Sequence, residues 1–157
     1  MAKWGKCDFT QLKEMQKRLD VLAKMDLDKF CRDVSKELAA RLFGKLYENT
    51  PVGEYPPSTG KVGGTLRRGW TGGKNGNAAS YAKSLGIKKQ GNTYMIEIIN
   101  QVDYASYVEY GHRNRGGGWV EGKHMLQISA AEVEGIAPSI IEKRLYTLLK
   151  GVFGNAK

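Results

Sequence analysis

The sequence contains few of the residues that build chemical sites. Only two cysteines and two histidines occur among 157 residues, and neither His112 nor His124 belongs to the HxxxH, HExxH or CxxC patterns of zinc ligands. Because no signal-peptide pattern precedes them, we interpret Cys7 and Cys31 as free thiols. No serine or cysteine stands in a nucleophile-elbow context. We therefore expect no metal, no cofactor and no enzymatic activity.

Long apolar runs are also missing. No stretch of about 18 apolar residues is present, and the first residues, MAKWGKCDFTQ, lack the apolar core of a secretory signal. The sequence thus predicts neither a membrane span nor export. With 41% hydrophobic and 26% charged residues, the composition is ordinary for a globular protein. We expect one domain over residues 1–157, with an N-terminal arm at 1–8 and an extended loop at 50–74.

Acidic residues are fewer than basic ones, which gives a formal net charge of +9. The excess lies in the middle of the chain, where residues 51–123 carry 10 basic and 5 acidic side chains. It forms neither a basic tail nor a basic helix of the kind that enters a nucleic-acid groove. A surface of this kind suits DNA or an acidic protein partner, and the charge alone does not decide between them.

Two amphipathic helices are predicted in the first 50 residues. Asp8 and Gln11 have capping-box spacing, and an apolar stripe follows at intervals of three and four residues. Asp26 and Asp28 suit the positive end of a second helix, which ends before Pro51. The first stripe comprises Phe9, Leu12, Met15, Leu19 and Leu22, and the second Leu27, Phe30, Cys31, Val34, Leu38, Leu42 and Leu46. We interpret both stripes as core-packing faces.

The middle of the chain predicts loops and a small antiparallel sheet. Residues 50–64 contain three of the four prolines and four glycines, a composition typical of a long loop. A short strand is predicted over 66–70. The alternation of apolar and polar residues then predicts a hairpin with strands at 81–89 and 93–100, joined by a glycine-containing turn.

The last third begins with a short aromatic helix at 104–111 and a glycine- and arginine-rich loop at 111–123. An apolar stripe then predicts a long C-terminal helix, which Gly135 and Pro138 either kink or divide in two. The expected fold class is α+β, with the N-terminal helices and the C-terminal helix packed on a small antiparallel sheet and long flexible loops between them.

Several segments together resemble a known family. The segments are TPV at 50–52, GTLRRGW at 64–70, YASYVEYGH at 104–112 and GWVEG at 118–122. They are similar to the tail-component family of tailed bacteriophages and prophages, small neck or tail-completion proteins of the head–tail junction, over about residues 34–150. The family spacing between TPV and the following TG is not kept, because residues 53–58 separate them.

The resemblance implies a structural virion protein that is assembled in the bacterial cytoplasm and lies at the neck of the particle. Its implied partners are further copies of itself in a hexameric ring, a portal-side connector or adaptor, and the tail tube or terminator. Since a ring needs two different contact patches, we expect the 50–74 and 111–123 segments to supply them. The predicted interface residues are Arg67, Arg68, Trp70, Glu109, His112, Arg113, Arg115, Trp119 and Glu121.

Two alternatives stay open. The interleaving of cations with Trp70 and Trp119 is also typical of nucleic-acid-binding surfaces. A basic nucleic-acid-binding accessory protein is therefore the alternative function. Incidental contact with packaged DNA is also compatible with a structural virion protein. Because Trp70 and Trp119 lie where a small sheet needs apolar cover, burial in a core or an interface is the favoured interpretation of both rings. A convergent cluster of His112 and Glu109 would favour an enzyme.

Overall fold

The computed structural model describes residues 10–24, 27–71 and 77–154. The predicted N-terminal arm at 1–8, the capping residue Asp8 and residues 72–74 of the predicted extended loop lie outside these ranges. The described helices are α1 (Thr10–Ala23), α2 (Leu27–Asn49), α3 (Thr65–Gly69), α4 (Ala78–Ser84), α5 (Ala105–Tyr110) and α6 (Met125–Phe153). The strands are β1 (Lys88–Gln90), β2 (Thr93–Met95), β3 (Gly111–Arg113) and β4 (Trp119–Glu121), and a 3-10 turn spans Pro57–Thr59.

Helix α2 is the element on which the others are assembled. It contacts α3, α4, α6 and β2, and its buried residues Ala39, Phe43 and Leu46 lie in the main core cluster. The other buried members of that cluster are Leu66, Trp70, Ala82 and Met125. The α+β class predicted from sequence is confirmed. The buried face of α2 differs slightly from the predicted stripe, because α4 and α6 cover the helix from two sides.

The prediction that the α1 stripe packs in a core is wrong for this chain. No residue of α1 is buried, and Leu12, Met15 and Leu19 are 68%, 57% and 48% exposed. Helix α1 contacts the C-terminal end of α6, where Arg18 Nη1 donates a hydrogen bond to the carbonyl of Phe153 at 3.4 Å. Periodicity identifies an apolar face but not the element that covers it.

The predicted three-stranded sheet is replaced by two separate two-stranded hairpins. Residues 65–69 form a helix rather than a strand, because Leu66, Gly69 and Trp70 turn inward at helical spacing. Residues 78–84 are helical as well, since Asn77 caps the helix by accepting a hydrogen bond from the Ala79 N–H at 2.9 Å. The turn of the predicted hairpin is correct: Gly91 adopts a φ of 59° between β1 and β2.

Helix α6 continues through Pro138 without a break. Its packing on α2 explains the continuity, because Val133 and Ile140 are buried on either side of the proline. Two ion pairs with α2 accompany this packing: Lys45–Glu132 at 3.3 Å and Arg144–Glu37 at 2.6 Å. Of the helices in the described part of the chain, none combines the length and hydropathy needed to cross a bilayer.

Asp28 fastens the β1–β2 hairpin to the start of α2. Its carboxylate accepts hydrogen bonds from Lys89 Nζ at 2.6 Å and from the Tyr94 hydroxyl at 2.7 Å, and it pairs with Arg32. The bonds from Lys89, Arg32 and Tyr94 hold the pKa of Asp28 well below its ordinary value of 3.8. A carboxylate of lowered pKa contributes stability that is present above its unfolded-state pKa and lost as the pH falls through its folded-state pKa.

We therefore expect acidification below about pH 4 to loosen the hairpin from α2. The measurement is the nuclear magnetic resonance titration of the Tyr94 ring and of the 88–95 amides. The Asp28→Asn variant is the control, because it should show the loosened signals already at neutral pH. Identical acid titrations of the hairpin signals in the two proteins would contradict the role of Asp28.

Candidate subunit-contact site

The TPV and LRRGW segments meet in a junction below the C-terminal end of α2. Trp70 is 5% exposed, and its Nε1 donates to Thr50 Oγ1 at 2.8 Å. The Thr50 hydroxyl in turn donates to the carbonyl of Leu46. Arg67 donates to the Thr50 carbonyl through Nε at 3.2 Å and Nη2 at 2.8 Å, and its guanidinium lies 4.6 Å from the ring centroid of Tyr47. The two segments are therefore joined by hydrogen bonds from the Trp70 and Arg67 side chains to Thr50.

Gly69 allows the segment after β2 to reach the same junction. A Cβ at this position would lie 2.1 Å from Asn100 Oδ1 and 2.7 Å from a methyl group of Val102. Asn100 Nδ2 donates to the carbonyl of Leu66 at 2.9 Å, and Asn100 Oδ1 accepts from the Val102 N–H at 3.1 Å. Any side chain at Gly69 would displace this asparagine.

Glu109 connects α5 to the beginning of α6. The carboxyl group is buried and accepts hydrogen bonds from the backbone N–H groups of Leu126 at 3.0 Å and Gln127 at 3.3 Å. These are among the N–H groups that a helix leaves without an internal partner at its first turn. His124, which precedes α6, supplies no side-chain cap. Glu109 thus caps α6 from another element, and its negative charge faces the positive end of the helix dipole.

Replacing Glu109 with Gln is expected to lower the free energy of unfolding by about 0.5–2 kcal/mol, the range of lost helix caps. The amide keeps the shape of the side chain but loses the charge and one acceptor oxygen. Chemical denaturation measures the change, and Glu121→Gln on exposed β4 is the matched control, expected to be close to neutral. Equal denaturation midpoints for the two variants would contradict the capping role.

The β3–β4 hairpin projects beyond this cap. A Cβ on Gly122 would lie 2.3 Å from the carbonyl oxygen of Glu109, and Gly111 has a φ of 86°, so both positions require glycine. The strands pair Gly111 with Glu121 and Arg113 with Trp119. Asn114 organises the connecting loop, because its Oδ1 accepts from the N–H groups of residues 116 and 118, both at 3.0 Å. The glycine-rich loop therefore has a defined conformation.

The surface of the hairpin and of α5 is aromatic and basic. Trp119 is 57% exposed, and Tyr107 and Tyr110 are exposed by similar fractions. The Tyr107 ring makes an edge contact with His112, whose centroid lies 5.9 Å away. Arg113, Arg115 and Lys123 are exposed, and none of the three forms an ion pair with a described residue. We call this surface the hairpin patch: Tyr104, Tyr107, Tyr110, Arg113, Arg115, Trp119 and Lys123.

The predicted interface residues fall into two groups. Trp70 and Glu109 are buried, and Arg67 is tied to Thr50, so these three connect segments of their own chain. Arg68 is half-buried and donates through Nη1 to the carbonyl of Gly63 at 3.2 Å. The structure brings the remaining five together in one hairpin: His112, Arg113, Arg115, Trp119 and Glu121.

The structure does not assemble an acid–base pair from Glu109 and His112. The Glu109 carboxylate is engaged by the first turn of α6, and His112 Nδ1 lies 3.5 Å from the carbonyl of Tyr107. Among the described residues, no group of three or more His, Cys, Asp or Glu side chains could hold a metal ion.

Three exposed tyrosines lie in the predicted contact segment but were not among the predicted interface residues. Tyr104, Tyr107 and Tyr110 recur at intervals of three, which is a helical spacing, but their exposure depends on how α5 turns once Glu109 is buried. The spacing of the tyrosines was the sequence signal for this exposure. If Glu109 faces the core, helical geometry places residues 107 and 110 on other faces of α5.

A comparison with protein-family models matches residues 13–111 to the HK97-gp10-like family, described as "Bacteriophage HK97-gp10, putative tail-component". The matched range runs from α1 to the first residue of β3 and contains the Thr50–Trp70 junction and Glu109. No curated protein and no solved structure matches the chain.

Proposed function

Because the chain belongs to the HK97-gp10-like family of bacteriophage tail components, we propose that it is a structural subunit of the virion neck, a tail-completion protein that joins head and tail without catalytic activity. The hairpin patch is the observation that carries this proposal. Trp, Tyr and Arg are the residue types that contribute most to protein–protein contacts. Here they are exposed together on α5 and on the β3–β4 hairpin, next to the Glu109 cap that connects α5 to α6.

The segments that resemble the family have two different structural roles, and this difference supports the same function. Thr50, Trp70 and Glu109 hold the domain together from inside, which leaves the exposed hairpin free for a neighbour. A rigid hairpin with ordered turns loses little conformational entropy when it is buried. The geometry therefore suits a subunit that contributes a preformed contact surface to an assembly.

A closed ring of identical subunits fits a neck position, and we propose a hexamer. Contacts in a ring are heterologous, so each copy must offer two different surfaces. The loop at 51–63 is one of them, since Val52, Tyr55 and Val62 are exposed there, and the hairpin patch supplies a further contact to a neighbouring chain. The faces of the ring would meet a portal-side connector or adaptor and the tail tube or terminator.

The location of the chain in particles tests the proposal. Phage particles released from the host are purified, their proteins are identified by mass spectrometry, and an epitope on the C-terminus is located by immunoelectron microscopy. We expect the chain in the particles, with label at the head–tail junction. Absence from purified particles, or label restricted to the distal end of the tail, would contradict it.

One observation favours a second candidate function, nucleic-acid binding. Arg113, Arg115 and Lys123 belong to the same patch as exposed aromatic rings and lack ion-pair partners among the described residues, as in surfaces that bind phosphate and stack bases. Titration with DNA at two salt concentrations separates the candidates, because phosphate-driven affinity falls steeply with salt. Micromolar binding lost at the higher salt supports this candidate, and no binding at the lower salt removes it.

A further inference from the structure

The loop between α2 and α3 is a preformed projection, which we call the finger (residues 53–63). Its two ends touch, because a Cβ on Gly63 would lie 2.1 Å from the carbonyl oxygen of Gly53. The 3-10 turn Pro57–Thr59 forms its tip, and Thr59 Oγ1 donates to the carbonyl of Pro56 at 2.8 Å. Lys61 Nζ lies 5.8 Å from the ring centroid of Tyr55. The finger is thus a compact loop with its own internal contacts.

The finger presents apolar groups, one acid and one base to its surroundings. Val62 is 78% exposed and Tyr55 is 49% exposed, and Glu54 and Lys61 are exposed as well. All of residues 51–62 are exposed in this chain. Such a loop buries little of its own apolar surface, so a complementary surface on another molecule would stabilise it.

An open cleft of suitable character lies at the other end of α2. Residues of α2, α4 and α6 line the cleft, and its volume is about 940 Å³. Its apolar lining includes Phe30, Val34 and Leu148, and its basic lining includes Lys36, Lys83 and Arg144.

Basic residues outnumber acidic ones in the cleft lining, which contains Lys29, Lys36, Lys83 and Arg144 but only Asp33 and Glu37 as acids. Glu37 pairs with Arg41 at 3.1 Å and with Arg144 at 2.6 Å, and these bonds keep the pKa of Glu37 below its ordinary value despite the opposing effect of burial. Asp33 is the other acid. The cleft therefore complements a segment that carries apolar side chains and a carboxylate.

The finger does not enter the cleft of its own chain, because residues 51–62 are all exposed and none of them is among the residues that line the cleft. The finger follows the C-terminal end of α2, whereas the cleft is lined by residues in the first half of that helix, from Lys29 to Ala40. The finger and the cleft are thus two different surfaces, as a head-to-tail contact requires.

We propose that the finger of one copy docks in the α2–α4–α6 cleft of the adjoining copy, with Tyr55 and Val62 against the apolar lining and Glu54 beside the basic rim. This rests on the proposed function, since it gives the ring its heterologous contact. Tyr55 and Val62 lie on the two sides of the finger, and the close approach of Gly53 and Gly63 keeps the loop closed. Because the loop is already ordered, its binding in the cleft costs little conformational entropy.

Cross-linking between two singly substituted chains tests this contact. In a Cys7→Ser, Cys31→Ser background, one chain carries Ser58→Cys at the tip of the finger and the other carries Lys83→Cys on the cleft rim. The chains are mixed, treated with a short bis-maleimide, and the product is mapped by mass spectrometry. The matched control replaces Lys83→Cys with Glu97→Cys, an exposed position on the segment after β2.

We expect a 58–83 cross-linked heterodimer in several-fold excess over the 58–97 product, and loss of that excess when Leu148→Asp is added to the cleft chain. In particles, a chain carrying both Ser58→Cys and Lys83→Cys should give a ladder of covalent oligomers. Equal yields of the 58–83 and 58–97 products together with no ladder would overturn the inference, as would cross-linking of residue 83 to a different virion protein. A chain present in particles without the ladder leaves the proposed function standing and removes only this contact; a chain absent from particles contradicts the function itself.

Discussion

Replacement of Trp70 with alanine is expected to lower the free energy of unfolding by about 3–5 kcal/mol, the usual cost of truncating a buried tryptophan. The ring is 5% exposed and belongs to the core cluster with Phe43 and Leu66. The substitution leaves a cavity at the meeting point of α2 and α3. It also removes the donor to Thr50 Oγ1, which is itself buried.

Chemical denaturation followed by circular dichroism measures this effect, and Trp70→Phe is the informative companion. Phenylalanine keeps most of the apolar contacts but cannot donate to Thr50, so its expected loss is smaller, with a hydrogen-bond component of about 0.5–1.5 kcal/mol. A Trp70→Ala variant whose stability falls by less than about 1 kcal/mol would show that the junction does not hold the fold together.

Replacement of Trp119 with alanine is expected to leave the stability of the isolated chain within about 0.5 kcal/mol and to block head–tail joining. Trp119 is 57% exposed on β4, opposite Arg113. If its ring is buried by a neighbour, its loss costs about 2 kcal/mol or more at each contact, which is about a thirty-fold loss of affinity. Since every contact in a ring carries the same change, the assembly is affected as a whole.

Complementation of a phage that lacks the gene measures the assembly defect as the yield of infectious particles, with free heads and tails counted by electron microscopy. Trp119→Phe retains an aromatic anchor and should restore part of the yield. Tyr146→Ala removes a ring from α6 that is 67% exposed and serves as the control for loss of an exposed aromatic residue elsewhere. Wild-type yield from Trp119→Ala would refute the role of the hairpin patch.

The two tryptophans show how far the sequence predicts the site. From the sequence, burial in the core or in an interface was the favoured interpretation of both rings, and nothing distinguished one ring from the other. The difference comes from tertiary contacts: Trp70 follows a helical turn that directs it to Thr50, whereas Trp119 lies on a hairpin to which no third strand is paired among the described residues. Hydrophobic periodicity and secondary-structure propensity describe single segments, so they do not predict these tertiary contacts.

The sequence predicted those elements of the fold whose formation depends on one local sequence pattern. The long helices α2 and α6 follow from long apolar stripes, and the β1–β2 turn follows from Gly91. The strand predicted at 66–70 was wrong because five residues are too few to establish a period. Glu109 was predicted as an interface residue and lies buried, since its partners, the first N–H groups of α6, are 17 and 18 residues away in sequence.

Cryo-electron microscopy of the neck in intact particles tests most directly the claim that the exposed surfaces of this chain are contact surfaces between adjoining copies. We expect a ring at the head–tail junction in which Trp119 of each copy is buried by another protein chain and each finger occupies the cleft of the next copy. A reconstruction that contains the chain but leaves both the hairpin patch and the finger facing solvent would contradict the account.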